Sequence, residues 1–117
     1  MLPQTTRSQA DELRRRLPTH GWEVAEIEQP FEDEWWATEL WVIESAWSPQ
    51  SVRFYLTFLV DPMGGPNDIW AVHASKERPK QRPLDNNPLL RLGHGWQKEL
   101  QTFLGSLDGF RTGSPQE

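Results

Sequence analysis

The chain has 117 residues, a formal net charge of −5 and no cysteine, which excludes disulfides, Cys-ligated zinc, iron–sulfur ligation and thiol catalysis within it and disfavours a general nucleic-acid binder, normally a basic protein. Its length suits a single domain spanning residues 1–117, with an ordered core over about 7–110 and a flexible tail at 111–117. No stretch approaches the roughly 18 apolar residues of a membrane span, and no apolar run near the N-terminus precedes a small-residue cleavage site, so the cytoplasm is the expected compartment.

The first predicted element is a helix over about 7–17. Ala10, Leu13 and Leu17 form one apolar stripe. Thr6 with Gln9, or Ser8 with Asp11, can form a capping box at its start. Arg14, Arg15 and Arg16 fall in the last turn, where the helix dipole favours cations, and Pro18 stops it.

Four strands follow. The first covers about 22–29, with alternation imperfect enough to suggest a bulge. Pro30 ends it, and residues 31–34 make an acidic connection. The second covers about 35–47 and is apolar on both faces. Trp35, Ala37, Glu39, Trp41, Ile43 and Trp47 share one face; Trp36, Thr38, Leu40, Val42 and Ala46 share the other. After a turn at 48–51 comes the clearest strand, where Val52, Phe54, Leu56, Phe58 and Val60 alternate with Arg53, Tyr55, Thr57, Leu59 and Asp61. A Gly- and Pro-containing loop at 61–68 leads to a fourth strand at 69–75.

A proline-rich loop over 76–88 precedes the last element. Pro88 suits a first helical position, and Leu89, Leu92, Trp96, Leu100, Phe103, Leu104 and Leu107 keep a helical stripe. Gly93 and Gly95 interrupt that stripe, so a short helical turn should precede a main helix at 95–107, with Gly109 as its cap.

Short loops between successive strands imply an antiparallel meander. The expected fold is therefore α+β: a two-layer sandwich of N-terminal helix, four-stranded antiparallel meander and C-terminal helix, both helices on one sheet face. This element order is similar to that of the frataxin-like sandwiches. The resemblance implies an acidic surface that handles a metal ion or a metal-handling partner.

The seven Trp residues raise the main functional expectation. If Phe54, Leu56 and Phe58 face the helices, Tyr55 lies on the far face. Should Trp35, Trp41, Ile43 and Trp47 lie there too, the sheet carries an aromatic patch with Glu39 beside it, of the kind that marks a contact surface. The plainer alternative packs these rings against loops, each other or the proline-rich segment.

Other chemistry is thin. Glu32, Asp33 and Glu34 adjoin and would repel, which a hard cation could relieve, but a bare acidic loop is more often solvated. The loop at 61–68 lacks calcium-hand spacing and reads as a turn. His20, His73 and His94 stand in no metal or catalytic motif. His73 could share a pocket with Tyr55 and Glu39, and His94 between two glycines reads as a turn. The basic loop with Lys76, Arg78, Lys80 and Arg82 either meets an acidic partner or phosphate, or lies against the chain's own acidic strands. There is no phosphate loop, dinucleotide fingerprint or nucleophile elbow.

The expected function is a small non-catalytic protein-interaction or adaptor module without a cofactor, using the aromatic face and its acidic edge to bind a protein partner or a second copy. A small-molecule binder or small enzyme with a pocket around His73 is the alternative.

Overall fold

The computed structural model describes residues 4–45, 53–60, 69–80, 88–93 and 95–111. Helix α1 is Gln4–Arg16. It begins before Thr6 and Ser8, so neither acts as its cap. Gln9 instead donates from Nε2 to the Leu92 carbonyl at 2.9 Å, tying α1 to the far end of the chain. Glu12 pairs with Arg15 and Arg16 on the exposed side. A 3-10 turn, Leu17–His20, carries Pro18 in its first turn and closes on Gly21, whose φ of 84° suits glycine.

The strands are β1 Trp22–Glu28, β2 Ala37–Ser45, β3 Arg53–Val60, β4 Ile69–Ser75 and β5 Leu89–Arg91, and the chain ends in α2, Trp96–Arg111. They form one antiparallel sheet in the order β1-β2-β3-β4-β5. The expected α+β sandwich is thus present with a fifth strand. Residues 89–91 are that strand and not a helical turn. Leu90 pairs with Val72 and is fully buried, whereas Leu89 and Arg91 point to the other face. Alternation wins here because Gly93 and Gly95 cut the segment away from the helical stripe; Gly95, at φ 77°, marks the entry to α2. At its other end α2 runs through Gly109 to Arg111 and does not stop at that glycine.

One face of the sheet packs on both helices. Ala10, Leu13 and Leu17 from the N-terminal elements, and Leu100, Phe103, Leu104 and Leu107 from α2, meet Trp22, Trp41, Ile43, Phe54, Leu56, Phe58, Val72, Ala74 and Leu90. Trp22 meets Phe54 edge-on at 5.7 Å, and Trp41 meets Phe58 at 4.9 Å. Each such pair adds about 0.5–1.5 kcal/mol beyond area burial.

The second face has its own smaller core. Trp36, Ala37, Leu40, Leu59 and Ala71 are buried there, with Tyr55, Trp70 and Leu89 packed against them. Ala37 can join Leu40 there because the register shifts between Ala37 and Glu39. A second shift, between Val24 and Glu26, supplies the bulge expected in β1. Glu26, Glu44 and Arg53 pair on the same face toward its β1 side.

Candidate functional site on the β1–β2 connection

Residues 29–36 link β1 to β2, and their shape is set by one carboxylate. The Phe31 amide donates to Glu34 Oε1 at 2.7 Å, and the Glu34 amide donates back to the Phe31 carbonyl at 2.9 Å. The Ala37 amide then donates to the Glu34 carbonyl at 3.1 Å, which delivers the chain into β2. Trp36 anchors the end of the turn: its ring is buried and its carbonyl accepts from the Val60 amide at 2.9 Å.

Arg78, from the segment after β4, locks this turn. The segment 76–80 leaves β4 at Ser75 and crosses the second face. Nη2 of Arg78 donates to Glu34 Oε1 at 2.7 Å and to the Gln29 carbonyl at 3.3 Å. Nη1 pairs with Glu28 of β1. The guanidinium lies 4.2 Å from the centre of the Phe31 ring, within cation–π range. The Glu34 side chain is 8% exposed and that of Arg78 18%. Burial by itself raises the Glu34 carboxyl. The hydrogen bonds from Arg78 and the Phe31 amide, with the Arg78 charge, outweigh it and hold the group below its ordinary value. For Arg78 burial acts to lower the value, and the hydrogen bond and charge of Glu34 with those of Glu28 raise it instead.

The locked turn turns two aromatic rings outward. Phe31 is 64% exposed and Trp35 60%, and with Ile27 at 40% on the edge strand they are the large apolar side chains left exposed among the described residues. Glu32 and Asp33 sit exposed between the two rings. Because Arg78 is committed to Glu28 and Glu34, the outward charge of the turn is negative.

Of the sequence-predicted contact set, Trp35 is at this surface. Trp41 is not: it is 3% exposed in the helix-side core. The expectation that Trp41 and Ile43 line the far face is corrected, because the register pairs them with Leu56 and Phe54, which face the helices. Glu39 is on the helix side as well, accepting from Trp41 Nε1 at 2.8 Å. Tyr55 is half-buried on the second face, and Trp47 lies outside the described residues. The His73 pocket is therefore not assembled from all three candidates. His73 is buried on the second face beside Thr57 and Leu89, on the same face as Tyr55, with the sheet between them and Glu39.

In the basic loop, Lys76 and Lys80 are exposed while Arg78 turns inward onto the chain's own acidic elements. Arg82, His94 and the loop at 61–68 lie outside the described residues. Among the described residues no three His, Asp or Glu side chains are grouped to hold a metal ion, and no helix is long and apolar enough to cross a membrane. Sequence reasoning missed Phe31. Its signal was an aromatic ring directly after Pro30, inside an acidic run, with no strand or helix stripe to join. The chain matches no protein-family model, no curated protein and no solved structure.

Proposed function

We propose that this chain is a small protein-interaction module whose contact surface is the β1–β2 connection, with Phe31 and Trp35 as anchors and Glu32 and Asp33 as the charged rim. The observation that carries this reading is the pairing of two exposed rings with a buried lock. A turn meant only to join two strands needs neither outward aromatic residue nor an ion pair fixing it. Aromatic anchors are enriched at contact hot spots, and fixing them before binding lowers the entropy lost on association. The partner that fits is a protein surface with an apolar cleft bordered by lysine or arginine. A second copy fits poorly, since it would set Glu32 and Asp33 against their own kind.

A photo-crosslinking residue in place of the exposed Gln29, on the same connection as both rings, tests this in cells of the source organism. A discrete adduct whose crosslinked peptide is apolar and rich in Lys or Arg, and which Phe31→Ser suppresses, is the expected result. No adduct, or the same adduct from the exposed Gln97 on α2, removes the surface from consideration.

A further inference from the structure

The sheet has two edges, formed by β1 and β5. We infer that β5 and α2 together accept an extended, acidic segment of a partner protein as a sixth strand. The hydrogen-bond pattern shows which groups are free to do so. The Ala74 amide donates to the Pro88 carbonyl at 3.0 Å, and the Leu92 amide to the Trp70 carbonyl at 2.9 Å. Residues 88, 90 and 92 therefore turn their main chain toward β4. By the alternation of an antiparallel ladder, Leu89 and Arg91 turn theirs away. Among the described residues nothing covers that edge, which leaves two amides and two carbonyls in register for an added strand.

A groove of about 420 Å³ runs beside this edge, lined by Pro88 and Leu89 on one side and Lys98, Glu99, Thr102, Phe103 and Ser106 of α2 on the other. Strand addition draws affinity from main-chain bonds and selectivity from the pockets that alternate side chains enter. Phe103 offers an apolar floor, and Thr102 and Ser106 offer hydroxyls. The edge is positioned from behind by the bond from Gln9 to Leu92. Pro88 has no N–H, so pairing can start no earlier than Leu89.

The charge selects the occupant. Lys98 and Glu99 balance each other in the groove lining, whereas Arg91 is exposed on the second face and in no ion pair among the described residues. An extended segment that turns alternate apolar residues toward the groove and Asp or Glu toward Arg91 complements that arrangement. A second copy docking edge to edge would bring Arg91 close to its own copy on that face. This surface is separate from the Phe31–Trp35 turn, and Trp35→Ser leaves its binding unchanged.

The test is selection of displayed random peptides on the full chain, followed by amide hydrogen exchange with the selected peptide at saturation. Expected are alternating apolar–acidic sequences, at least tenfold slower exchange at Leu89 and Arg91, and at least fivefold weaker binding by Arg91→Glu. Leu89→Pro removes an outward amide that β4 does not use, and should abolish binding in a protein that still melts cooperatively. Binders that leave the Leu89 and Arg91 amides unprotected, binders rich in Lys or Arg, or no binders at all overturn the inference. Protection of those amides by concentration alone, with a dimer mass by light scattering, assigns the edge to self-association and overturns it too.

Discussion

Arg78 donates to the Glu34 carboxylate at 2.7 Å, joining two residues 44 positions apart in the chain. With the bond to the Gln29 carbonyl, it connects the segment after β4 to the turn before β2. It ties that segment to the posture of Phe31 and Trp35.

Removing one member of that pair strands the other in a partly buried site. Glu34→Gln and Arg78→Met should each lower stability by about 1.5–3 kcal/mol, as expected for a hydrogen bond to a charged group. The double variant should lose less than the sum of the two. Denaturant unfolding of all four proteins checks this; strictly additive losses would show that the residues do not couple.

The same pair predicts an acid sensitivity with a defined sign. The Glu34 carboxyl is depressed in the folded chain, so its stabilisation is complete above the ordinary glutamate value of about 4.3 and is lost as pH falls through the lower folded value. Melting temperature should drop as pH is lowered through and below about 4. In Glu34→Gln that part of the drop should vanish. Equal pH profiles for the two proteins would contradict the assignment.

Two tryptophans six residues apart should behave oppositely. Trp41 is buried against Phe58 in the helix-side core. Trp41→Ala should therefore cost about 3–5 kcal/mol. Trp35 is 60% exposed, and Trp35→Ser should stay within about 0.5 kcal/mol of wild type. Chemical denaturation of each variant decides the matter, and a large loss for Trp35→Ser would mean that its ring is a structural member of the turn.

Gly95 sits at φ 77°, and a Cβ there would meet nothing within 4 Å. The effect of Gly95→Ala should thus come from the backbone alone, about 1–2 kcal/mol of destabilisation. Gly105, inside α2 and equally uncrowded, should gain about 1 kcal/mol from Gly105→Ala. Thermal melts of the two variants should shift in opposite directions.

The sheet was legible where one alternation dominated. The period of β3 sorted Phe54, Leu56 and Phe58 from Tyr55, Thr57 and Leu59, and the structure keeps that division. β2 was harder because both its faces are apolar, and a one-residue shift next to Glu39 moves Ala37 onto the face of Leu40. No periodicity argument contains that shift. β5 hid behind leucines that satisfy both a helical and a strand pattern, and only pairing with β4 separates them. The connection was the least legible part. The acidic run and the basic loop were visible separately, and their meeting through Arg78 depends on how far the chain returns across the sheet.

The proposed contact surface is a locked turn that offers Phe31 and Trp35 to a cationic partner. The most direct test is calorimetric titration of the crosslink-identified partner against wild type, Trp35→Ser and Arg78→Met at low and high salt. Expected are at least tenfold weaker binding for Trp35→Ser at unchanged melting temperature, a comparable loss for Arg78→Met, and weakening of the wild type by salt. Trp35→Ser binding within twofold of wild type would remove Trp35 as an anchor and the turn as the contact surface.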